Sequence, residues 1–154
     1  MTVLHDQGVV QAEYALVKVR RDGNPHRRFG HVCLLSGKLG WVQPENLRLV
    51  AHSLAQSLPS MAPPVLLVGL AESSLLLASF VRQALNVQST LCLSSREHGR
   101  DGSSIQFLEC HSHAPRHYID VPGETRFGTV VIVEDEVTTG NTARNLIVLS
   151  LIHI

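Results

Sequence analysis

The sequence lacks the features of an exported or membrane-spanning chain. Its three cysteines in 154 residues are scattered and include no C-x-x-C pair, so they favour a reducing compartment over a disulfide framework. The most apolar region is interrupted by Glu72 and Arg82 and is unsuited to crossing a bilayer. The N-terminus carries Asp6 and Glu13 where a signal peptide would be basic and then apolar. We therefore expect a cytoplasmic, soluble protein.

An excess of charge of either sign is also missing. Thirteen basic and thirteen acidic residues cancel, so nothing in the overall charge favours a nucleic acid or an anionic membrane as a partner. What is present is a hydrophobic fraction of 44% with 17% charged residues, which is typical of a globular chain. The length suits one domain with a core of its own.

The order of apolar runs and breakers predicts an α/β fold with a doubly wound, mostly parallel sheet. Short apolar runs predict strands at "PVLLVG", "STLCLSS" and "TVVIVED". Helices are predicted from Pro44, from Ser73 or Ser74 to about Leu85, and from near Asn141. A polar stretch without clear periodicity, residues 96–127, is predicted to be a long loop. Strands that alternate with helices in this way are typical of a parallel sheet.

The third predicted strand ends in acids, within "VVIVEDEVTTGNT" at residues 130–142. Ligands of parallel α/β sheets bind beyond the carboxyl ends of the strands. Adjacent strand residues point to opposite faces, so Glu134 and Asp135 are poorly placed to share one proton as an acid/base dyad. They are better placed to accept hydrogen bonds from two neighbouring hydroxyls, as on a ribose.

The residues after the acids are suited to a phosphate. "TTGNT" offers hydroxyls and consecutive backbone N–H groups where a helix begins, and the helix dipole favours an anion there. Carboxylates that can bind two hydroxyls, followed by donors that can bind a phosphate, indicate a sugar phosphate as the ligand. For any one of these residues, an acidic turn before a capped helix is the alternative interpretation.

This ordered stretch resembles the phosphoribosyl-pyrophosphate (PRPP) motif of type I phosphoribosyltransferases. The resemblance implies that Glu134 and Asp135 are catalytic and bind the ribose hydroxyls. It also implies that Mg²⁺ is held through PRPP, with no metal ligand from the protein. Glu136 departs from the motif, where a small or apolar residue is usual, and either tunes metal binding or faces water. The residues implied to wrap the 5′-phosphate are Val137, Thr138, Thr139, Gly140, Asn141 and Thr142.

Two other segments extend the resemblance. "FLECHSHAPRH" and "NPHRRF" are similar to a bacterial branch found with tellurite-resistance (Ter) and stress-response clusters, although Cys110 stands where an acidic or polar residue is expected. "VLLVGLAESS" looks like a strand and its pyrophosphate-binding loop, which here comprises Gly69, Leu70, Ala71, Glu72 and Ser73.

Residues 96–127 would be the mobile flap of such an enzyme. Its arginines are candidate pyrophosphate contacts because guanidinium groups grip phosphate oxygens bidentately, with solvated loop arginines as the alternative. Two histidines spaced by one are candidate contacts to the acceptor. With Cys110 and His117 nearby they are alternatively zinc ligands, or hydrogen-bonded loop residues. These flap candidates are Arg96, Arg100, His111, His113 and Arg116.

The leading functional hypothesis is therefore an Mg²⁺-dependent phosphoribosyltransferase that acts on PRPP and a nitrogenous base. A non-catalytic PRPP sensor is the second hypothesis, and a small metal-binding module centred on His111 and His113 is the third. The acceptor base, the direction of the reaction and the oligomeric state stay open, a homodimer being one option.

The last six residues, 149–154, look like the translation of a transposase end sequence used in library preparation. We therefore expect the phosphoribosyltransferase-like domain to comprise residues 1–148 and to be incomplete, with its last strand or strands missing. An incomplete sheet would expose an unpaired edge and could leave the chain inactive. An ordinary apolar C-terminus is the alternative.

Overall fold

A computed structural model describes residues 16–20, 29–36, 40–99, 104–108, 115–123, 126–136 and 140–153. Within these ranges the chain forms three α-helices, which are α1 (Pro44–Ser57), α2 (Leu75–Ala84) and α3 (Asn141–His153). The strands are β1 (Leu16–Arg20), β2 (Phe29–Cys33), β3 (Val65–Gly69), β4 (Ser89–Leu93), β5 (Ile105–Leu108), β6 (Arg116–Ile119) and β7 (Thr129–Val133).

The central feature is a parallel three-stranded sheet with the order β4-β3-β7. All five residues of β3 are buried, which explains why this strand reads as an unbroken apolar run. Gly69 at the end of β3 lies beside Leu93 of β4 and Val133 of β7. The three strands therefore end in register, and the loops that follow them leave from one edge of the sheet.

Both faces of β3 are covered. Alternate residues of a strand point to opposite faces, and two separate apolar clusters result. The first joins Leu67 to residues of α1 and α2. The second joins Leu66 and Val68 to Phe107 of β5 and Leu146 of α3. These layers make a mixed α/β fold, as predicted, while the doubly wound arrangement of the whole domain stays a prediction.

The helix predictions hold to within two residues. The first helix begins at Pro44, as predicted, and the third begins at Asn141. The second begins at Leu75, directly after the predicted Ser74, which is its N-cap residue. The third helix runs on past Val148, the predicted limit of native sequence, to His153.

The prediction of a long loop over residues 96–127 is wrong in part. β5 and β6 form an antiparallel pair within it, and Phe107, His117 and Ile119 are buried. The strands have four residues each, and a histidine occupies one of the buried positions. So short an alternation with a polar residue on its inward face gives almost no periodic signal.

The third predicted strand is less buried than its sequence indicates. β7 carries only one buried residue, Val133, and Val130 is 40% exposed. Among the described strands β7 pairs only with β3, which makes it an edge of this sheet. None of the helices in the described ranges combines the length and the apolar character that a membrane crossing requires.

Cys92 provides a test of the core. It is buried on β4, and this burial, with a smaller contribution from the Asp120 carboxylate, raises the pKa of the Cys92 thiol. Only a thiolate reacts with iodoacetamide. We expect mass spectrometry to find Cys92 unmodified in the native protein at pH 8 and modified after unfolding. Complete labelling of Cys92 in the native state would contradict this packing.

The same shift sets a dependence of stability on pH. The thiol of an unfolded chain ionises with a pKa of about 8.5, whereas folded Cys92 keeps its proton to higher pH. The contribution of Cys92 to stability is therefore complete below the unfolded pKa and is lost as the pH rises through the folded pKa. The Cys92→Ala variant should lack this part of the alkaline decline.

Candidate functional site

The candidate site lies at the carboxyl edge of the sheet, where three loops begin. Because the strands end in register, the residues after Gly69, Leu93 and Val133 are neighbours. This edge is where open α/β sheets bind their ligands.

Hydrogen bonds fix the loop after β3 on both sides. The N–H of Leu70 donates to the Val133 carbonyl at 3.2 Å, across to β7. On the other side the N–H of Ala71 donates to the Ser94 hydroxyl at 2.7 Å, and the N–H of Ser94 donates to the Gly69 carbonyl at 2.9 Å. The loop is therefore held in one conformation by both neighbouring strands.

Gly69 allows α2 to pack closely behind this loop. A Cβ atom at Gly69 would lie 2.6 Å from Ala78 Cβ and 2.9 Å from Leu93 Cδ2. Real Cβ atoms do not approach other carbons that closely, so only glycine fits between the strand end and the helix.

The middle of the loop carries the groups that could contact a ligand. The Ala71–Glu72 peptide bond is cis. Among the described residues, the backbone N–H groups of Glu72 and Ser73 have no protein acceptor. The Glu72 carboxylate lies 3.3 Å from Nε of Arg96, which follows β4, and both side chains are open to solvent. The predicted pyrophosphate loop and a predicted flap arginine are thus in contact.

The acids after β7 lie at the same edge. Glu134, Asp135 and Glu136 follow Val133 directly and are all half-buried. Glu136 thus resembles the two acids before it in its burial, and both of its interpretations stay open. Carboxylates held half out of water at a strand end are suited to binding hydroxyl groups or a hard cation.

The predicted phosphate segment is described only from Gly140 onward, and Val137, Thr138 and Thr139 lie outside the described residues. Gly140 has a φ of +70°, the left-handed region that favours glycine. Its carbonyl accepts from the N–H of Arg144, which closes the first turn of α3. The N–H groups at the start of a helix have no intrahelical acceptor, so Asn141 and Thr142 stand where an anion binds well.

Of the other predicted flap residues, Arg116 is described and is exposed at the start of β6. This strand is attached to the site edge, because Ser95 and Tyr118 exchange two backbone hydrogen bonds of 2.8 Å. Arg100, His111 and His113 lie outside the described residues. The described part of the chain contains no cluster of three or more His, Cys, Asp or Glu that would hold a metal.

Sequence reasoning missed Ser94. This side chain is buried and bonds the loop after β3 to the segment after β4. The signal available was a serine directly after a predicted strand, at the edge where loops meet.

The fold is that of an α/β protein whose candidate site lies at the carboxyl ends of parallel strands. A profile of the family described as phosphoribosyl transferase matches residues 16–152, and the chain belongs to this family. No curated protein is similar enough to the chain to count as a match.

Proposed function

We propose that the protein transfers a 5-phosphoribosyl group from PRPP to a nitrogenous base and releases pyrophosphate, or catalyses the reverse reaction. The observation that carries the proposal is the meeting of the three loops at one sheet edge. The acids after β7, the loop after β3 and the segment after β4 all follow paired strand ends there, and α3 follows the acids along the chain. The membership of the chain in the phosphoribosyl transferase family supports the same reaction.

Each part of PRPP then has a partner of suitable chemistry. Glu134 and Asp135 would accept hydrogen bonds from the ribose hydroxyls, and residues 137–142 would wrap the 5′-phosphate. The N–H groups of Glu72 and Ser73 would donate to the pyrophosphate, with Arg96 as its counter-charge. The ribose, the 5′-phosphate and the pyrophosphate would therefore each be held by a different segment of the chain. Positioning of this kind lowers a reaction barrier by about 7–11 kcal/mol in favourable cases.

The residues at the edge also fit Mg²⁺. This cation prefers oxygen ligands and keeps several waters, and it commonly binds through substrate phosphates. It would enter with PRPP, beside the half-buried carboxylates of Glu134 and Asp135. Bound there, it would neutralise the leaving pyrophosphate. The protein's own contribution is to orient the ribose and to keep the anion loops rigid.

Within the family, we place the protein in the branch associated with tellurite-resistance and stress-response clusters, because of "NPHRRF" and "FLECHSHAPRH". Most of both segments lies outside the described residues. In this proposal the acceptor is a nitrogenous base, and its identity is the object of a substrate screen.

A thermal-shift assay with PRPP and Mg²⁺ tests the proposal. Ligand at about 100 times its Kd stabilises a protein by about 2.7 kcal/mol, which raises the Tm of a chain of this size by roughly 5–10 °C. Candidate bases are then added, and pyrophosphate release is measured. Stabilisation without turnover on any base would identify a PRPP sensor, and the absence of any stabilisation would contradict PRPP binding altogether.

A further inference from the structure

Glu72 is an unexpected residue in a loop that is proposed to bind a polyanion. Its carboxylate lies on the same loop as the N–H groups assigned to pyrophosphate. The negative charge of Glu72 would therefore repel a bound pyrophosphate. In the structure this charge is compensated by Arg96, whose Nε lies 3.3 Å from the Glu72 carboxylate.

The contact joins two loops whose relative position is already fixed. Ala71, the residue before Glu72, donates its N–H to the hydroxyl of Ser94, two residues before Arg96. Ser94 in turn donates its N–H to the Gly69 carbonyl. These two hydrogen bonds hold the loops side by side, which brings Glu72 and Arg96 within reach of each other.

The pair is suited to exchange. Both side chains are solvent-accessible, with 65% of Glu72 and 42% of Arg96 exposed, and exposed ion pairs contribute little to stability. A phosphate group offers the guanidinium several oxygens and more charge than one carboxylate. Exchanging Glu72 for a phosphate therefore costs Arg96 little interaction energy.

We infer that Glu72 holds Arg96 while the site is empty and competes with pyrophosphate for it. Glu72 is then a residue that sets the affinity for pyrophosphate-bearing ligands and favours release of pyrophosphate, with no part in binding the ribose phosphate. This inference rests on the proposed function, because it assigns the loop after β3 to pyrophosphate.

Isothermal titration with magnesium pyrophosphate tests the inference. The Glu72→Gln variant is expected to bind it about two- to fivefold more tightly than the wild type, because Arg96 is released from competition. Arg96→Gln should bind it about tenfold more weakly. In the double variant the gain from Glu72→Gln should disappear, which a cycle of the four proteins measures directly. A gain in affinity is a result that a merely destabilised loop does not produce.

Two controls separate this effect from others. Glu97→Gln removes the same charge next to Arg96, and the Glu97 carboxylate makes no ion pair with any described residue. This variant should bind pyrophosphate as the wild type does. Ribose 5-phosphate should bind equally to all of the variants, because Glu134, Asp135 and the start of α3 are unchanged.

The outcomes distinguish the inference from the function on which it rests. Normal ribose 5-phosphate binding with no gain for Glu72→Gln would overturn the inference alone. An equal gain for Glu97→Gln would also overturn it, since general charge would then explain the effect. Failure of the wild type to bind both ribose 5-phosphate and PRPP would overturn the proposed function, and the role of Glu72 with it.

Discussion

Replacement of Asp135 by asparagine is expected to weaken PRPP binding by about 10- to 100-fold and to lower turnover as well. The side chain is half-buried at the end of β7, and the proposal assigns its carboxylate to a ribose hydroxyl. A hydrogen bond to a charged group contributes about 1.5–3 kcal/mol, which corresponds to this range in affinity. Asparagine keeps the shape of the side chain and removes only its charge. Titration calorimetry with PRPP and Mg²⁺ measures the binding, and pyrophosphate release measures the turnover.

The matched control is Glu45→Gln, which also removes one carboxylate charge. Glu45 is exposed in the first turn of α1 and pairs only with Arg48 among the described residues. Its replacement should leave PRPP affinity within about twofold of the wild type, because an exposed pair of this kind contributes little. Steady-state kinetics of Asp135→Asn that equal those of the wild type would remove Asp135 from the site.

The Gly69→Ala variant is expected to unfold at a markedly lower temperature. The added methyl group would lie 2.6 Å from Ala78 Cβ, which is bonded directly to the backbone of α2. The helix must therefore move, and overpacking of this kind costs about 1–3 kcal/mol. For a chain of this size the Tm should fall by roughly 3–10 °C, as measured by calorimetry. The loop that begins at Gly69 should be displaced as well, so pyrophosphate binding should weaken in the same variant.

Gly123→Ala separates packing from the general effect of replacing glycine. Nothing lies within 4 Å of a Cβ atom at Gly123, so this substitution should change the Tm little. Equal stability of Gly69→Ala and wild type, or an equal loss in both variants, would show that α2 does not pack against Gly69 as described.

The central elements could be predicted because their sequences carry clear signals of buried strands and of helix starts. β3 is buried at all five positions and reads as an unbroken apolar run. Pro44 and Asn141 begin helices in the structure where the sequence places a helix start. The residues within each of these elements determine its structure, so the element can be predicted from its own stretch of sequence.

The β5–β6 pair could not be predicted, because its stability depends on contacts that are distant in sequence. Phe107 and Ile119 are buried against Leu66 and Val68 of β3, about forty to fifty residues earlier in the chain. The sequences of these two strands are too short to reveal these distant contacts.

The position of the acids at the sheet edge could be predicted, and the contacts between the loops could not. A strand that ends in acids before a glycine-bearing loop indicates the carboxyl edge of a parallel sheet, and the described acids lie there. The pairing of Glu72 with Arg96 depends on the parallel alignment of β3 and β4. The residue spacing within either loop alone therefore does not predict that the two loops touch.

A crystal structure of the protein with ribose 5-phosphate and Mg²⁺ tests the central claim most directly. We predict that the ribose hydroxyls lie within about 2.5–3.2 Å of the Glu134 and Asp135 carboxylates. The phosphate should contact the backbone N–H groups at Asn141 and Thr142. Ribose 5-phosphate bound on another surface, or bound at this edge with both carboxylates directed away from the ribose, would contradict the account.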